Sequence, residues 1–386
     1  MGLADGSGNE RLRPDRCGRN RENRDAAAIA SRLRWADFER RGRIPDPSEV
    51  SHLMNALHEA GPIVVGVDLG GTKILAAAVG DGSRILGRAK RPTPADAGGP
   101  AILAAILATV DQALYEARVG RDAVAVIGIG SPGPLDPVAG VIPFSSNLNV
   151  RNWALGPDLS AATGRPVLLQ NDVRAGGYGE YRLGAGRGHK NVLAAFVGTG
   201  VGGCLILDGH VLEGATGNAG EIGHIVVKPG GPRCGCGRRG CLEALSSRTA
   251  IARRVGKAAR KGLSSALAAK VDRKSGKLKS GDLAAAMLAN DPVAVQEVQR
   301  AARYLGLGLG GLINLLGPDV VVVGGGVTAA IGEPFLDLVR AAAREQVLVD
   351  PEGRIAIKSA ALGDDAGVLG AALLAHEHFG VGRVLA

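Results

Sequence analysis

Aromatic residues are scarce in this chain: five Phe, two Trp and four Tyr among 386 residues, 3 % of the whole. That shortage argues against a base-stacking platform for single-stranded nucleic acid. It also obliges the core to be built from Ala, Val, Leu and Ile. Cysteine is equally thin, with five in all. Cys17 lies in the Arg-rich start, Cys204 in an apolar stretch, and the other three crowd between 234 and 241. An odd, clustered set is no disulfide framework and points to a reducing, cytoplasmic setting. Residues 1–30 carry charges of both signs and no apolar h-region, so no signal peptide is expected. No membrane span is expected either. The stretch most like one, Leu305 to Val327, holds Pro318-Asp319 and eight glycines and reads as a helix end followed by a strand. Acidic residues are outnumbered, 37 against 46 Lys and Arg, for a net charge of +9. A basic surface can attract nucleic acid or phosphorylated ligands. Without aromatics to accompany it, we read a solvated, Arg-rich surface and expect no nucleic-acid partner.

What is plentiful is glycine. Sixty residues is about twice ordinary usage, gathered in short motifs rather than a collagen-like repeat. One motif dominates: residues 217–243, GNAGEIGHIVVKPGGPRCGCGRRGCLE. In it His224, Cys234, Cys236 and Cys241 are spaced H-x9-C-x-C-x4-C. Three thiolates and one imidazole complete a tetrahedral set for Zn²⁺. No position is left open, so the metal is expected to be structural. The alternative is a reduced thiol cluster in a Gly-rich loop. Two carboxylates, Glu221 and Glu243, are left over to hold a polar substrate.

Residues 1–60 stand apart from the rest. The opening MGLADGSGNERLRPDRCGRNREN lacks apolar periodicity and is expected to be disordered to about residue 24. Short helices are expected at 25–41 and 47–60. A DNA-binding helix-turn-helix is the functional alternative, but no paired amphipathic helices with a Gly-containing turn are visible. From Ile63 a folded enzyme is expected. IVVGVDL reads as a buried strand, GGTKILAAAVG returns as a second, and Ile85-Leu86 continues as a third. A helix follows from Pro100 to Val119, then strands at 123–130 and 166–170 and a helix from Val173. VLAAFV at 192–197 opens a similar set, with CLILDG and Ile225-Val226-Val227 as further strands. Helices are expected at 247–261, 281–290, 292–316, 334–345 and 366–378, and strands at 320–323 and 355–357. The pattern "apolar strand, Gly-rich turn, apolar strand" occurs twice, in VDLGGTKILAAAV and AFVGTGVGGCLIL. That repeat implies two α/β domains of one design.

The glycine turns carry the chemistry. Asp68 ends a buried strand, and Gly70-Gly71 permit a tight return whose N–H groups form a nest for phosphate oxygens. Thr72 adds a hydroxyl and Lys73 a charge, while Asp68 suits a hydrated Mg²⁺. A plain hairpin is the alternative. Gly198, Thr199 and Gly200 repeat the signature on the second domain, so a nucleotide clamped between the two is implied. The third turn, Gly324-Gly325-Gly326, either presents backbone to an adenosine or serves close packing. None of the three matches the P-loop or the G-x-G-x-x-G fingerprint. Asn171-Asp172 lies at a strand's C-terminal end, where ligands bind in α/β folds. Asp172 suits a general base for phosphoryl transfer and Asn171 a hydroxyl binder. Asp172 as the N-cap of the following helix is the alternative.

VDLGGTK, GTGVGG, GNAGEIGH, CGCGRRGCLE and NLLGPDVVVVGGGV resemble, in order, the motifs of the ROK family of sugar kinases and repressors. The resemblance runs from Ile63 to the C-terminus and leaves out residues 1–60. It implies the two-domain actin/hexokinase-like (ribonuclease H-like) fold with an inter-domain cleft. On that pattern 61–180 with the helix 366–386 form the small domain, and 181–365 the large domain with the zinc loop. The resemblance implies ATP and Mg²⁺ as donor and cofactor, with Zn²⁺ structural. It implies Asp172 as the catalytic base and Asn171, Glu221, His224 and Glu243 as hexose ligands, with His224 binding zinc through its other nitrogen. Asn147 resembles the family's sugar-contacting Asn, with Asn149 close by, and Gly133 a backbone contact to the sugar. Cys204 departs from the Gly of many relatives. The implied activity is an ATP-dependent hexose kinase, glucokinase first, with N-acetylmannosamine, N-acetylglucosamine, mannose or fructose kinases as alternatives. A homodimer or homotetramer is implied. The alternative from another class is a sugar-responsive repressor. Every kinase motif is intact here, which favours the enzyme.

Overall fold

The computed structural model describes residues 62–80, 83–272, 276–348, 350 and 353–381. The expected extension at 1–60 lies outside the described residues, which begin at Pro62 and belong to one compact unit.

Strand β1 (Ile63–Leu69) is buried at six of its seven positions. A Val- and Ile-rich run of this kind suits a strand covered on both faces. β2 (Lys73–Gly80) and β3 (Arg84–Pro92) extend an antiparallel meander from it. Helix α1 (Gly98–Ala117) crosses over and buries Ile102, Ile106, Val110, Ala113 and Leu114 along one stripe. β4 (Val124–Ser131) then joins β1 in parallel. A short hairpin, β5 (Ile142–Ser145) and β6 (Val150–Trp153), and helix α2 (Leu155–Thr163) come before β7 (Val167–Asn171), parallel to β4. The first sheet has the order β3-β2-β1-β4-β7. Helix α3 (Asp172–Leu183) leaves β7 without a loop, because the Asn171 side chain caps it by accepting the Val173 and Arg174 N–H groups, both at 3.0 Å.

The plan then repeats. β8 (Val192–Val197), β9 (Val201–Leu207) and β10 (His210–Val211) form a second antiparallel meander. The metal loop leads to α4 (Leu242–Ser246), α5 (Arg248–Arg260), α6 (Ser280–Leu288) and α7 (Pro292–Leu316). β11 (Val320–Gly324), α8 (Gly326–Ile331), α9 (Glu333–Arg344), β12 (Ala356–Ser359) and α10 (Ala366–His378) complete the fold. The second sheet has the order β10-β9-β8-β11-β12, with β11 parallel to both its neighbours. The weak sequence repeat is therefore a repeat of whole sheets, and the chain has the two-domain α/β fold of the actin and hexokinase type.

The core is aliphatic, as the aromatic shortage requires. Helices α1 and α2 cover one face of the first sheet and α10 the other. A Cβ on Gly66 or Gly128 would overlap the carbonyl oxygen of Val368 or Ala371, so α10 lies against this sheet at backbone distance. Helices α5, α6, α7 and α9 cover the second sheet on one face. Each fully buried Leu, Ile or Val contributes about 1.5–3 kcal/mol, and Phe335 is the largest such side chain. Helix α3 packs against α10 and also against β8 and β9. Gly177 of α3 leaves the space that the Cys204 side chain of β9 takes up, so the departure at Cys204 touches the helix that carries Asp172.

One sequence expectation needs correction, and one hairpin and helix go beyond it. Ile225-Val226-Val227 is not a strand: Val226 makes a single bridge to Cys241. The Val227 and Lys228 N–H groups both donate to Gly240 O, at 3.0 and 3.2 Å, which folds the segment into the metal loop. The β5–β6 hairpin and α2 were not foreseen. Strands of four residues, buried at both ends and exposed at the two middle positions, show no alternation. Among the described residues one helix, Ala95–Ala117, is long and apolar enough to cross a membrane by composition, yet its apolar stripe is packed on the first sheet.

Candidate active site

The carboxyl ends of β1 and β7 bring two acids together. Asp68 stands near the end of β1, and Gly367 in the first turn of α10 abuts its carboxylate. Burial raises the Asp68 pKa; Lys73 opposes the shift and Asp364 adds to it. Asp172 is the first residue of α3, with its backbone against Gly130 of β4. The carboxylate accepts the Val173 N–H at 2.8 Å. Its pKa is pushed up to about 6, first by burial and then by the Asp68 charge; backbone N–H groups counter this, and Glu221 adds a smaller push. The cap role considered for Asp172 falls instead to Asn171. The Oδ1 of Asn171 is committed to the helix, leaving its amide N–H₂ as the free donor.

The glycine turn after β1 is closed by Gly70 N donating to Lys73 O at 2.9 Å and by Thr93 Oγ1 donating to Gly70 O at 2.6 Å. Gly71 lies against Asn147 at the tip of the β5–β6 hairpin. The unforeseen hairpin is thus what carries the predicted Asn147 to the turn. Asn149, two residues on, has a left-handed backbone at φ 52°. Gly133, at φ 107°, packs on Phe144 O in β5, close to the tip of the same hairpin. Lys73 does not offer a free charge: its ammonium donates to Asp364 Oδ2 at 2.7 Å.

The metal loop follows the second meander, and Glu221 at its start lies near enough for its charge to act on Asp172. The ligand atoms of His224, Cys234, Cys236 and Cys241 all lie within 4.8 Å of one another. Cys236 Sγ is 3.7 Å from Cys241 Sγ, and Cys234 Sγ is 3.6 Å from His224 Nδ1. A tetrahedron with Zn–S arms of about 2.3 Å has edges of about 3.8 Å, so the donor set fits zinc in spacing and chemistry. With Nδ1 turned to the thiols, His224 Nε2 points outward, 3.9 Å from Glu221 Oε2. Glu243, in α4, bridges elsewhere. It accepts the Val201 N–H at 3.2 Å and the Cys234 S–H at 3.5 Å. Its carboxylate therefore joins the metal loop to the glycine turn after β8.

That turn is braced by residues the sequence did not single out. Arg248 N donates to Gly198 O at 2.9 Å and Thr249 Oγ1 to Thr199 O at 2.7 Å. The Arg248 guanidinium donates to Thr199 Oγ1 and Ser280 Oγ, both at 2.8 Å, and Gly326 lies against both Arg248 and Ser280. Gly325, at φ 87°, is pressed on the Val197 backbone and Gly324 on Phe196. Close packing thus accounts for two glycines of the third turn, and Gly326 alone lies beside Arg248 and Ser280. Arg174, almost wholly buried, was also missed. It donates to Gly217 O at 2.7 Å and to Gln170 Oε1 at 3.1 Å, tying α3 to the loop that leads to Glu221. No periodicity marks such residues, since their partners are distant in sequence.

Strand-end acids, two glycine turns on matching sheets and a thiol–imidazole knot are the arrangement of a sugar kinase, and comparison with known proteins agrees. The glucokinase of Halalkalibacterium halodurans is 38% identical over 310 residues, 79% of this chain and 92% of that protein. A ROK hexokinase from Thermus thermophilus superposes with a TM-score of 0.70 at 39% identity, over 83% of this chain and 100% of that one. A ROK family glucokinase from Streptomyces griseus, solved with glucose and AMPPNP, gives a TM-score of 0.70 at 35% identity, over 82% and 99%. The ROK family profile matches residues 64–378, and the chain belongs to the ROK family.

Proposed function

We propose that the protein is an ATP-dependent glucokinase, converting D-glucose and ATP to glucose 6-phosphate and ADP. The observation that carries this reading is Asp172: a carboxylate at a strand end, raised to about 6, beside a second acid and across from Glu221 and His224. Such a group is ionised at neutral pH yet basic enough to take a proton from a hydroxyl. The hexose would lie among Asn147, Asn171, Glu221, His224 and Glu243, with the Gly133 turn beneath it. Asp172 accepts the proton of the 6-hydroxyl as that oxygen bonds to the γ-phosphorus. The bond to the β–γ bridging oxygen breaks, and the electron pair leaves with ADP. The donor phosphates would rest on the turns at Gly70–Lys73 and Gly198–Gly200, with Gly326 toward the adenosine. Asp68 suits a hydrated Mg²⁺, which when bound neutralises phosphate charge. Zinc held by His224, Cys234, Cys236 and Cys241 would fix the tautomer and aim of His224. The thiols must be reduced to bind it, consistent with a cytoplasmic setting. We assign the lobes as 62–180 with 366–381, and 181–365.

A panel of glucose, mannose, fructose and the two N-acetylated amino sugars, each with ATP and with polyphosphate, tests this reading. The highest kcat/KM is expected for glucose with ATP. A higher value for another hexose would move the assignment to that sugar, and no hexose phosphate at all would remove it.

A further inference from the structure

Glu180, in α3, is fully buried and takes no part in the site above. Its carboxylate is held entirely by backbone N–H groups. Oε2 accepts from Ala185 N at 2.9 Å and from Ala361 N at 3.0 Å, and Oε1 accepts from Leu362 N at 2.7 Å. Ala185 opens the segment that carries the chain from α3 to β8 of the second sheet. Ala361 and Leu362 lie in the segment that returns it from β12 to α10 on the first. Among the described residues these are the two places where the chain passes between the sheets. One carboxylate holds both. Gly184 wraps the first crossing so closely over it that an added Cβ would overlap Oε2. Nearby, α3 and α10 meet backbone to backbone, since a Cβ on Gly179 would lie 2.5 Å from Ala366 O.

We propose that Glu180 is a positioning residue for phosphoryl transfer: it pins both crossings to the helix that begins with Asp172, and so fixes the axis on which the two sheets close around hexose and donor. The proposal rests on the kinase reading. The chemistry suits a carboxylate and not its amide. Three N–H groups need acceptors, two oxygens supply them, and Gln would turn an N–H₂ toward one crossing. With one crossing released, closure loses its register and water competes with the sugar oxygen for the donor.

The test is Glu180→Gln in the full chain, read two ways. Hydrogen exchange without ligands should quicken roughly tenfold at Ala185, Ala361 and Leu362 together, while β8 and β9 keep their protection. With glucose and ATP, hexose phosphate formed per ADP released should fall several-fold, while the Kd for ATP stays within about twofold. That ratio does not depend on how much protein is active, so mere loss of folded protein leaves it unmoved. Unchanged exchange at either crossing, or an unchanged ratio, overturns the proposal. Should the variant fail to fold, Gly184→Ala displaces Oε2 from outside the helix and is judged by the same readouts. If the wild-type protein phosphorylates no hexose, the kinase reading falls and the role in transfer with it; the exchange data then still show whether Glu180 holds both crossings.

Discussion

Asp172→Asn should end catalysis and, at neutral pH, make the folded protein more stable. The folded carboxyl titrates at about 6 against an ordinary 3.8, so at pH 7.5 the fold holds an anion that burial disfavours. At 1.36 kcal/mol per unit, that difference is roughly 3 kcal/mol of lost stability. Water reaching the half-buried side chain trims it, and a gain of about 1–3 kcal/mol is expected on removing the charge. The sign follows from proton binding. A carboxyl with a raised folded pKa adds stability that is complete below 3.8 and lost as pH rises through about 6. The advantage of the variant should therefore shrink by about half between pH 7.5 and pH 5. Asn is close in shape, and its Oδ1 can still accept the Val173 N–H, so little packing changes. Urea unfolding followed by circular dichroism, at both pH values and without ligands, measures the difference. Equal stability at pH 7.5, or a gain that does not move with pH, would refute the claim that a desolvated anion sits there. In parallel, wild-type kcat/KM should rise with pH through about 6 as the base ionises.

Other changes probe the neighbouring parts. Cys236→Ser removes one of four metal ligands; zinc per chain should drop well below one and the glucose KM should rise roughly tenfold, and undiminished zinc by elemental analysis would contradict the assignment. Arg248→Ala takes away the hydrogen bonds to Thr199 and Ser280; the KM for ATP should rise about tenfold while that for glucose moves less than about twofold. Steady-state kinetics that show the reverse split would place Arg248 with the sugar instead. Gly128→Ala drives a methyl group into Ala371 O and should cost about 3 kcal/mol or more, read as a melting temperature lowered by several degrees; an unchanged melt would mean that α10 does not lie at backbone distance from β4.

The parts legible in the sequence are those whose physics is local. A parallel strand buried on both faces reads as an unbroken apolar run, which is why β1, β4, β8 and β11 stand out while the four-residue β5 and β6 do not. The metal knot is legible because chelation fixes ligand type and spacing within one loop. Ile225–Val227 misled because apolar content says nothing of a partner strand, and the Gly240 carbonyl claims the N–H groups of Val227 and of the Lys228 that follows. Charged residues held by partners distant in sequence are the hardest to read. Arg174, Arg248 and Glu180 look from sequence like ordinary helix-surface residues, and only the fold shows which carbonyls, hydroxyls and N–H groups they serve. A faint signal does exist in NDVRAGGYGEYRLGAG. The helix opens with the proposed base and then carries Ala175, Gly176, Gly177 and Gly179 within five residues, which lets its backbone meet neighbours on more than one side. A Glu set among those residues is closed off from solvent and must find backbone donors. In this chain the donors come from both crossings between the sheets, which makes one helix the bearer of the reactive carboxylate at its start and of the pin between the lobes near its end.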